Sequence, residues 1–166
     1  MDVSTAIKGR RSIRKYKRKE IPKSVLDELL EAARRAPSGG NRQPWELIVI
    51  RDEKKKRDLV PICKNQQFID DCSAFIVAVG DPEQKWSKID IAIALDELSL
   101  AAFEKGLGTC WIGAFDKEKM ADALGVPRSR EVAVCMTLGF PNENPDERSR
   151  KAFEDLMHWE KYGGRL

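Results

Sequence analysis

Residues 88–105, KIDIAIALDELSLAAFEK, constrain the fold of this chain more than any other stretch. They read as its strongest helix, and the apolar residues Ile89, Ile91, Ile93, Leu95, Leu98, Leu100 and Phe103 fill more than one face of it. A helix that is apolar nearly all round has to be enclosed, in a core or in an interface between subunits. At 166 residues the chain is most simply one domain, 1–166, long enough for a core of its own.

Helical and strand-like patterns alternate around that segment. DVSTAIKGR is short and weakly helical. After Pro22, the residues Val25, Leu26, Leu29, Leu30, Ala32 and Ala33 recur at helical spacing, and Ala36 and Pro37 finish that helix. WELIVIRD (45–52) and AFIVAVGD (74–81) read as strands, separated by two short helices with a break at Pro61. GLGTCWIGAFD (106–116) begins as a glycine cap and becomes a short strand. KEKMADALG is helical, EVAVCMTLGF (131–140) is a buried strand, and EDLMHW has helical character. This order predicts an α+β or α/β domain of roughly four strands.

Several function classes find no support. Thirty basic residues against twenty-seven acidic leave a formal net charge of +3, so bulk charge does not argue for nucleic acid. No apolar run approaches the roughly 20 residues a membrane span requires. MDVSTAIKGRRSIRKY has no apolar signal core, and the chain is read as cytoplasmic with no membrane partner. Cys63, Cys72, Cys110 and Cys135 form no CxxC pair and read as buried free thiols. With His158 the single histidine, no metal site is expected. A P-loop and a GxGxxG turn after a strand are both missing from the sequence.

Three places can carry chemistry. In RRSIR (10–14), three arginines and a serine within five residues can make several charge-assisted bonds to one phosphate, or can be a solvated basic patch. In PSGGNRQPW (37–45), glycines allow a flat ligand to approach the backbone, and Asn41 and Gln43 each offer a donor and an acceptor. The same stretch can instead be a helix stop with a Schellman-type cap. Arg148, Ser149, Arg150 and Lys151 form a late basic loop that matters only if it meets the N-terminal arginines in space. Together the three suit a ligand with a phosphate at one end and a polar heteroaromatic ring at the other. No nucleophile–base pair accompanies them, so the chemistry would come from a cofactor.

At these residues the chain resembles the nitroreductase family of FMN oxidoreductases. RRSIRKY resembles the family's N-terminal phosphate motif, and EAARRAPSGGNRQPW its helix-end loop. DIAIALDELSLAAFEKGLGTCWIGAFD resembles its central helix and following turn. LGFPNEN with RSRKAFEDLMHWEKYG resembles its C-terminal motif. The resemblance implies a nitroreductase-like α+β fold: a central, mostly antiparallel mixed sheet of about four to five strands flanked by helices. It implies an intertwined homodimer with FMN at the subunit interface and the long helix at the dimer core. C-terminal segments in such proteins reach across to the partner, and the chain's end at KYGGRL leaves the extent of exchange open.

By position, the resemblance assigns Arg10, Arg11, Ser12 and Arg14 to the FMN phosphate and ribityl chain, joined by Arg148 and Arg150, with Lys151 a weaker candidate. Pro37, Ser38, Gly39 and Asn41 would lie by the isoalloxazine ring, part of that contact coming from the partner subunit. Ile112, Gly113 and Ala114 would present backbone to the ring's other side. Gln43 would brace the loop, Gln66 and Gln67 would approach the pyrimidine edge, and Arg42 has no assigned role. Larger members carry a glutamate in the turn where this chain has Gly113, and inferences from that acid do not transfer. The implied activity is ping-pong: NADH or NADPH gives hydride to the flavin and leaves, and a nitroaromatic, quinone or related electron-poor acceptor takes its place. The alternatives are dehalogenation or flavin remodelling on the same fold, or, outside enzymes, a basic nucleic-acid-binding module.

Overall fold

In the computed structural model, which describes residues 1–165, the run AFIVAVG becomes β3 (Ala74–Gly80), a strand with every residue buried. Successive side chains of a strand point to opposite faces. Phe75, Val77 and Val79 therefore enter one core, and Ile76 and Ala78 enter a second. β3 pairs antiparallel with β2 (Trp45–Ile50) on one side and β5 (Glu131–Pro141) on the other. β5 also carries β4 (Gly108–Ile112) and, at its far end, β1 (Tyr16–Lys17). A single parallel bridge, Ser12 to Thr109, makes this antiparallel sheet mixed. The expected sheet is thus found, with five strands. β1 was not expected: it lies inside the basic cluster, and of its two residues only Tyr16 is buried.

Helices cover both faces of the sheet. α3 (Glu53–Leu59), α4 (Phe68–Asp71) and α6 (Lys117–Leu124) close the first core with Leu59, Ile69 and Met120. α2 (Lys23–Arg35) and α5 (Ser87–Glu104) close the second with Leu26, Leu29, Ala33, Ile91, Ala94, Leu95 and Leu98. α1 (Val3–Gly9) packs on α5, and α7 (Phe153–Leu156) is one exposed turn. Full burial of one Leu or Ile side chain contributes about 1.5–3 kcal/mol, so α5 anchors the second core. Only one face of α5 is used in this way. Ile89 is 50% exposed, and Ala92 and Ile93 stand beside it on the outer face.

The Schellman-type stop suggested by PSGG is overturned. α2 ends before either glycine, with Ala36 at φ −55° and ψ 142°. Ala36 precedes Pro37, whose ring disfavours helical backbone in the residue before it. Proline therefore ends the helix, and the left-handed residues come later.

All four cysteines are free and buried, as expected. Burial pushes the Cys63 thiol up to about 11 and Cys72 up to about 12, and raises Cys110 and Cys135 as well. The thiolate is the reactive form. Iodoacetamide at pH 8 is therefore expected to leave the native protein unlabelled while the unfolded chain takes up four adducts, as read by mass spectrometry. Among the described residues, no helix is long and apolar enough to cross a membrane.

Candidate cofactor site

The N-terminal arginines are held in place by β4. Asp2 caps α1, accepting from the Thr5 N–H at 3.0 Å, and the helix gives way to extended backbone at Arg10. The Ile13 N–H donates to the Thr109 carbonyl at 2.9 Å, which lays residues 10–13 along the edge of β4. Ile13 is buried against Gly108, where a Cβ would overlap it. The Tyr16 hydroxyl donates to the Ile13 carbonyl at 2.8 Å and lies 2.7 Å from Thr137 Oγ1, a buried phenol that burial keeps protonated.

The C-terminal arginines arrive beside them because β5 leads into this edge. The Asn142 N–H donates to the Lys15 carbonyl at 2.8 Å, and Glu143 accepts from the backbone N–H groups of Arg14 and Lys15. The chain from 143 to 150 then runs past residues 10–14. Arg10, Arg11, Ser12, Arg14, Arg148 and Arg150 line one recess of about 500 Å³, together with Glu143, Pro145 and Asp146. Two of these arginines have partners in the chain. Arg11 donates to the carbonyls of Lys8 and Arg10 at 2.6 and 3.0 Å and pairs with Glu147 at 3.6 Å. Arg150 donates to the Arg148 and Ser149 carbonyls at 2.8 and 3.3 Å. The guanidiniums of Arg10, Arg14 and Arg148 make no hydrogen bond or ion pair among the described residues. Five guanidiniums against the carboxylates of Glu143 and Asp146 leave the recess net positive, a setting that favours a multivalent anion.

β4 also carries the second part of the site. Ile112 is buried at its end, and Gly113 and Ala114 follow as exposed backbone. The Gln66 Nε2 donates to the Cys63 and Ala114 carbonyls at 2.9 and 3.3 Å, so this side chain braces the turn. Four residue steps lead along β4 from Thr109 to Gly113, about 13 Å at about 3.3 Å per residue. A phosphate grip at one end and open backbone at the other suit a phosphorylated polyol joined to a flat ring. The residues present therefore fit FMN in donor type and in span.

The 37–45 loop is the third part, and the chain does not bring it to the other two. Ser38 is extended, a single 3₁₀ turn follows at Gly39–Asn41, and Gly40, Asn41 and Gln43 have φ of 59°, 55° and 49°. Two of these bear side chains, and such conformations cost on the order of 1–3 kcal/mol each and persist only where neighbours hold them. The neighbours do so here. Ser38 Oγ accepts from the Gln43 N–H at 2.9 Å, and Gln43 Nε2 donates to the Asn41 carbonyl at 3.2 Å. Gln43 thus braces the loop as expected, and Arg42 joins it, donating from Nη1 to the Gly39 carbonyl at 2.9 Å. Gly39 lies against Trp86 and Asp90 at the start of α5, whereas Gly9, next to Arg10, lies against Phe103 near its end. The thirteen residue steps along α5 from Asp90 to Phe103 span about 20 Å at about 1.5 Å each. Within one chain the loop and the arginine recess are therefore at opposite ends of α5.

Two contributors escaped the sequence reading. Glu143 shapes the recess through contacts more than a hundred residues apart in the chain, which no local pattern reveals. Asp90 does leave a signal, a lone acid within KIDIAIAL, a run otherwise apolar after its lysine.

A sequence model of the nitroreductase family matches residues 7–81 and 63–140. A protein of Archaeoglobus fulgidus, provisionally named NADH dehydrogenase/NAD(P)H nitroreductase, is 32% identical over 165 residues, covering 92% of this chain and 94% of that protein. The solved structure of an FMN-dependent nitroreductase from Clostridium difficile is similar at TM-score 0.85 and 30% identity, over 95% of this chain and 99% of that one. Nitroreductase A from Vibrio parahaemolyticus is similar at TM-score 0.91 and 25% identity, over 98% of this chain and 77% of that one. By sequence and by fold, the chain belongs to the nitroreductase family.

Proposed function

We propose that the protein is an FMN-dependent oxidoreductase that takes hydride from NADH or NADPH and reduces nitroaromatics, quinones or related electron-poor acceptors, working as a homodimer. One observation carries this reading: Arg10, Arg14 and Arg148 stand, without a partner among the described residues, in a recess at one end of β4, whose other end offers open backbone at Gly113 and Ala114. When bound, FMN supplies hydride acceptance and release at its N5 atom. The chain's own residues do the rest. Arg10, Arg14 and Arg148 hold the phosphate, with Ser12 beside them. Residues 112–114 face the ring without a side chain at Gly113 to crowd it. Pro37, Ser38, Gly39 and Asn41 belong to the partner's half of each site, because a single chain holds its own loop about 20 Å from its own recess.

A second copy of this chain is the natural cover for the outer face of α5. Ile89, Ala92 and Ile93 form an apolar stripe there, and Phe153, Leu156, Met157, Trp159 and Tyr162 are 43–92% exposed along the C-terminal segment. Apolar surface of this extent in a folded chain marks an interface. The arginines line a recess instead of crowning a ridge, a form that suits a small anion better than a nucleic-acid backbone.

Purified protein is expected to be yellow, or to turn yellow with added FMN, and to hold one FMN per chain. It should oxidise NADH or NADPH in the presence of a nitroaromatic or a quinone. Parallel double-reciprocal lines would mark donor and acceptor as alternating at one place. A colourless protein that neither takes up FMN nor oxidises either donor would overturn the reading.

A further inference from the structure

Asp90 is a carboxylate where the core would do better with a hydrocarbon. It is 3% exposed, between the core residues Ile91 and Ala94 and the loop. Asp96 and Glu104 of the same helix face solvent. Among the described residues Asp90 makes no ion pair, and both its oxygens lie 3.3 Å from the Gly39 N–H. Its place in the first turn of α5 offsets part of its burial, because the helix N-terminus favours negative charge. A buried acid with so few partners still costs stability compared with an apolar residue.

Asp90 acts on the loop instead. The hydrogen bonds made by Ser38 Oγ, Arg42 and the Gln43 amide all stay within residues 38–43. They hold the loop's shape and leave its orientation free. The ties to the body of the protein come from the first turn of α5 and the residue before it. Trp86 packs on Gly39, Ser87 Oγ donates to the Pro44 carbonyl at 3.4 Å, and Asp90 accepts from Gly39. Of the three, Asp90 alone accepts a hydrogen bond from the 3₁₀ turn itself, shared between its two oxygens.

We propose that Asp90 is the positioning residue of the loop, setting the orientation in which Ser38 and Asn41 meet the flavin ring; this rests on the site reading given above. Asp90→Ala removes the acceptor, and Asp90→Asn keeps one oxygen in place. In the apoprotein, amide exchange across Gly39–Gln43 should quicken at least about tenfold in Asp90→Ala and stay near wild type in Asp90→Asn. With FMN added, Asp90→Ala should bind about tenfold more weakly and displace the visible bands of the bound flavin, and Asp90→Asn should restore both. Wild-type exchange and an unshifted spectrum in Asp90→Ala would overturn the proposal. So would an Asp90→Asn variant as impaired as Asp90→Ala, since an acceptor oxygen at this place would then not be what holds the loop. If Asp90→Ala does not fold, Asp90→Asn decides: near-native exchange and spectrum support the proposal, and altered ones refute it. If wild-type protein binds no FMN, the functional reading fails, while the apoprotein exchange still reports whether Asp90 holds the loop.

Discussion

Apoprotein carrying both Arg10→Ala and Arg14→Ala is expected to bind FMN at least about a hundredfold more weakly than wild type, with its melting temperature nearly unchanged. Each charge-assisted hydrogen bond to a phosphate contributes about 1.5–3 kcal/mol. Losing two removes about 3–6 kcal/mol, or about two to four orders of magnitude in affinity. The fold should tolerate the change because neither guanidinium has a partner among the described residues, so no group is stranded by its removal. Relief of repulsion in the recess acts in the same direction. Arg11→Ala is the contrast, because Arg11 ties the end of α1 to Glu147 and its loss falls more on local structure than on affinity. Fluorescence titration with FMN alongside thermal melts separates the two effects. A double variant that keeps wild-type affinity would remove the recess from the site.

The second large effect is expected on the outer face of α5. Ile89→Asp with Ala92→Asp should turn a dimer into monomers and empty it of FMN at the same time. Both positions are exposed in the chain, so neither core loses packing. In a two-fold interface each patch meets its own copy or lies close to it, so the new carboxylates would crowd one another and Asp96. Like charges brought together in this way cost several kcal/mol. Light scattering coupled to gel filtration reads the mass, and absorbance reads the flavin. A monomer that still holds one FMN per chain would refute the shared site, and a dimer that persists would refute this face as the interface.

Much of the fold is legible in local pattern. The all-round apolar helix, the continuous run of β3 and the alternation of short helices and strands all follow from the spacing of apolar residues. β1 was not legible because two residues carry no period, and its pairing with β5 is set by the Tyr16 anchor. The arginine recess was half legible. Like charges close together in sequence announce a possible anion grip, but its closure depends on Glu143 drawing the end of β5 against residues 14 and 15. The loop was recognisable by composition, and the end of α2 at Ala36 and Pro37 was legible too; only the alternative of a glycine cap fails, because the helix stops before either glycine. The loop's distance from the recess is set by the length of α5, and composition holds no trace of it.

That distance gives the dimer proposed here an unusual kind of inheritance. A chain with a damaged loop keeps its own flavin grip intact and harms its neighbour's ring contact. A chain with a damaged grip still lends a sound loop across the interface. Two differently crippled chains, paired, would rebuild one whole site between them, so the unit on which selection acts at this site is the pair and not the chain.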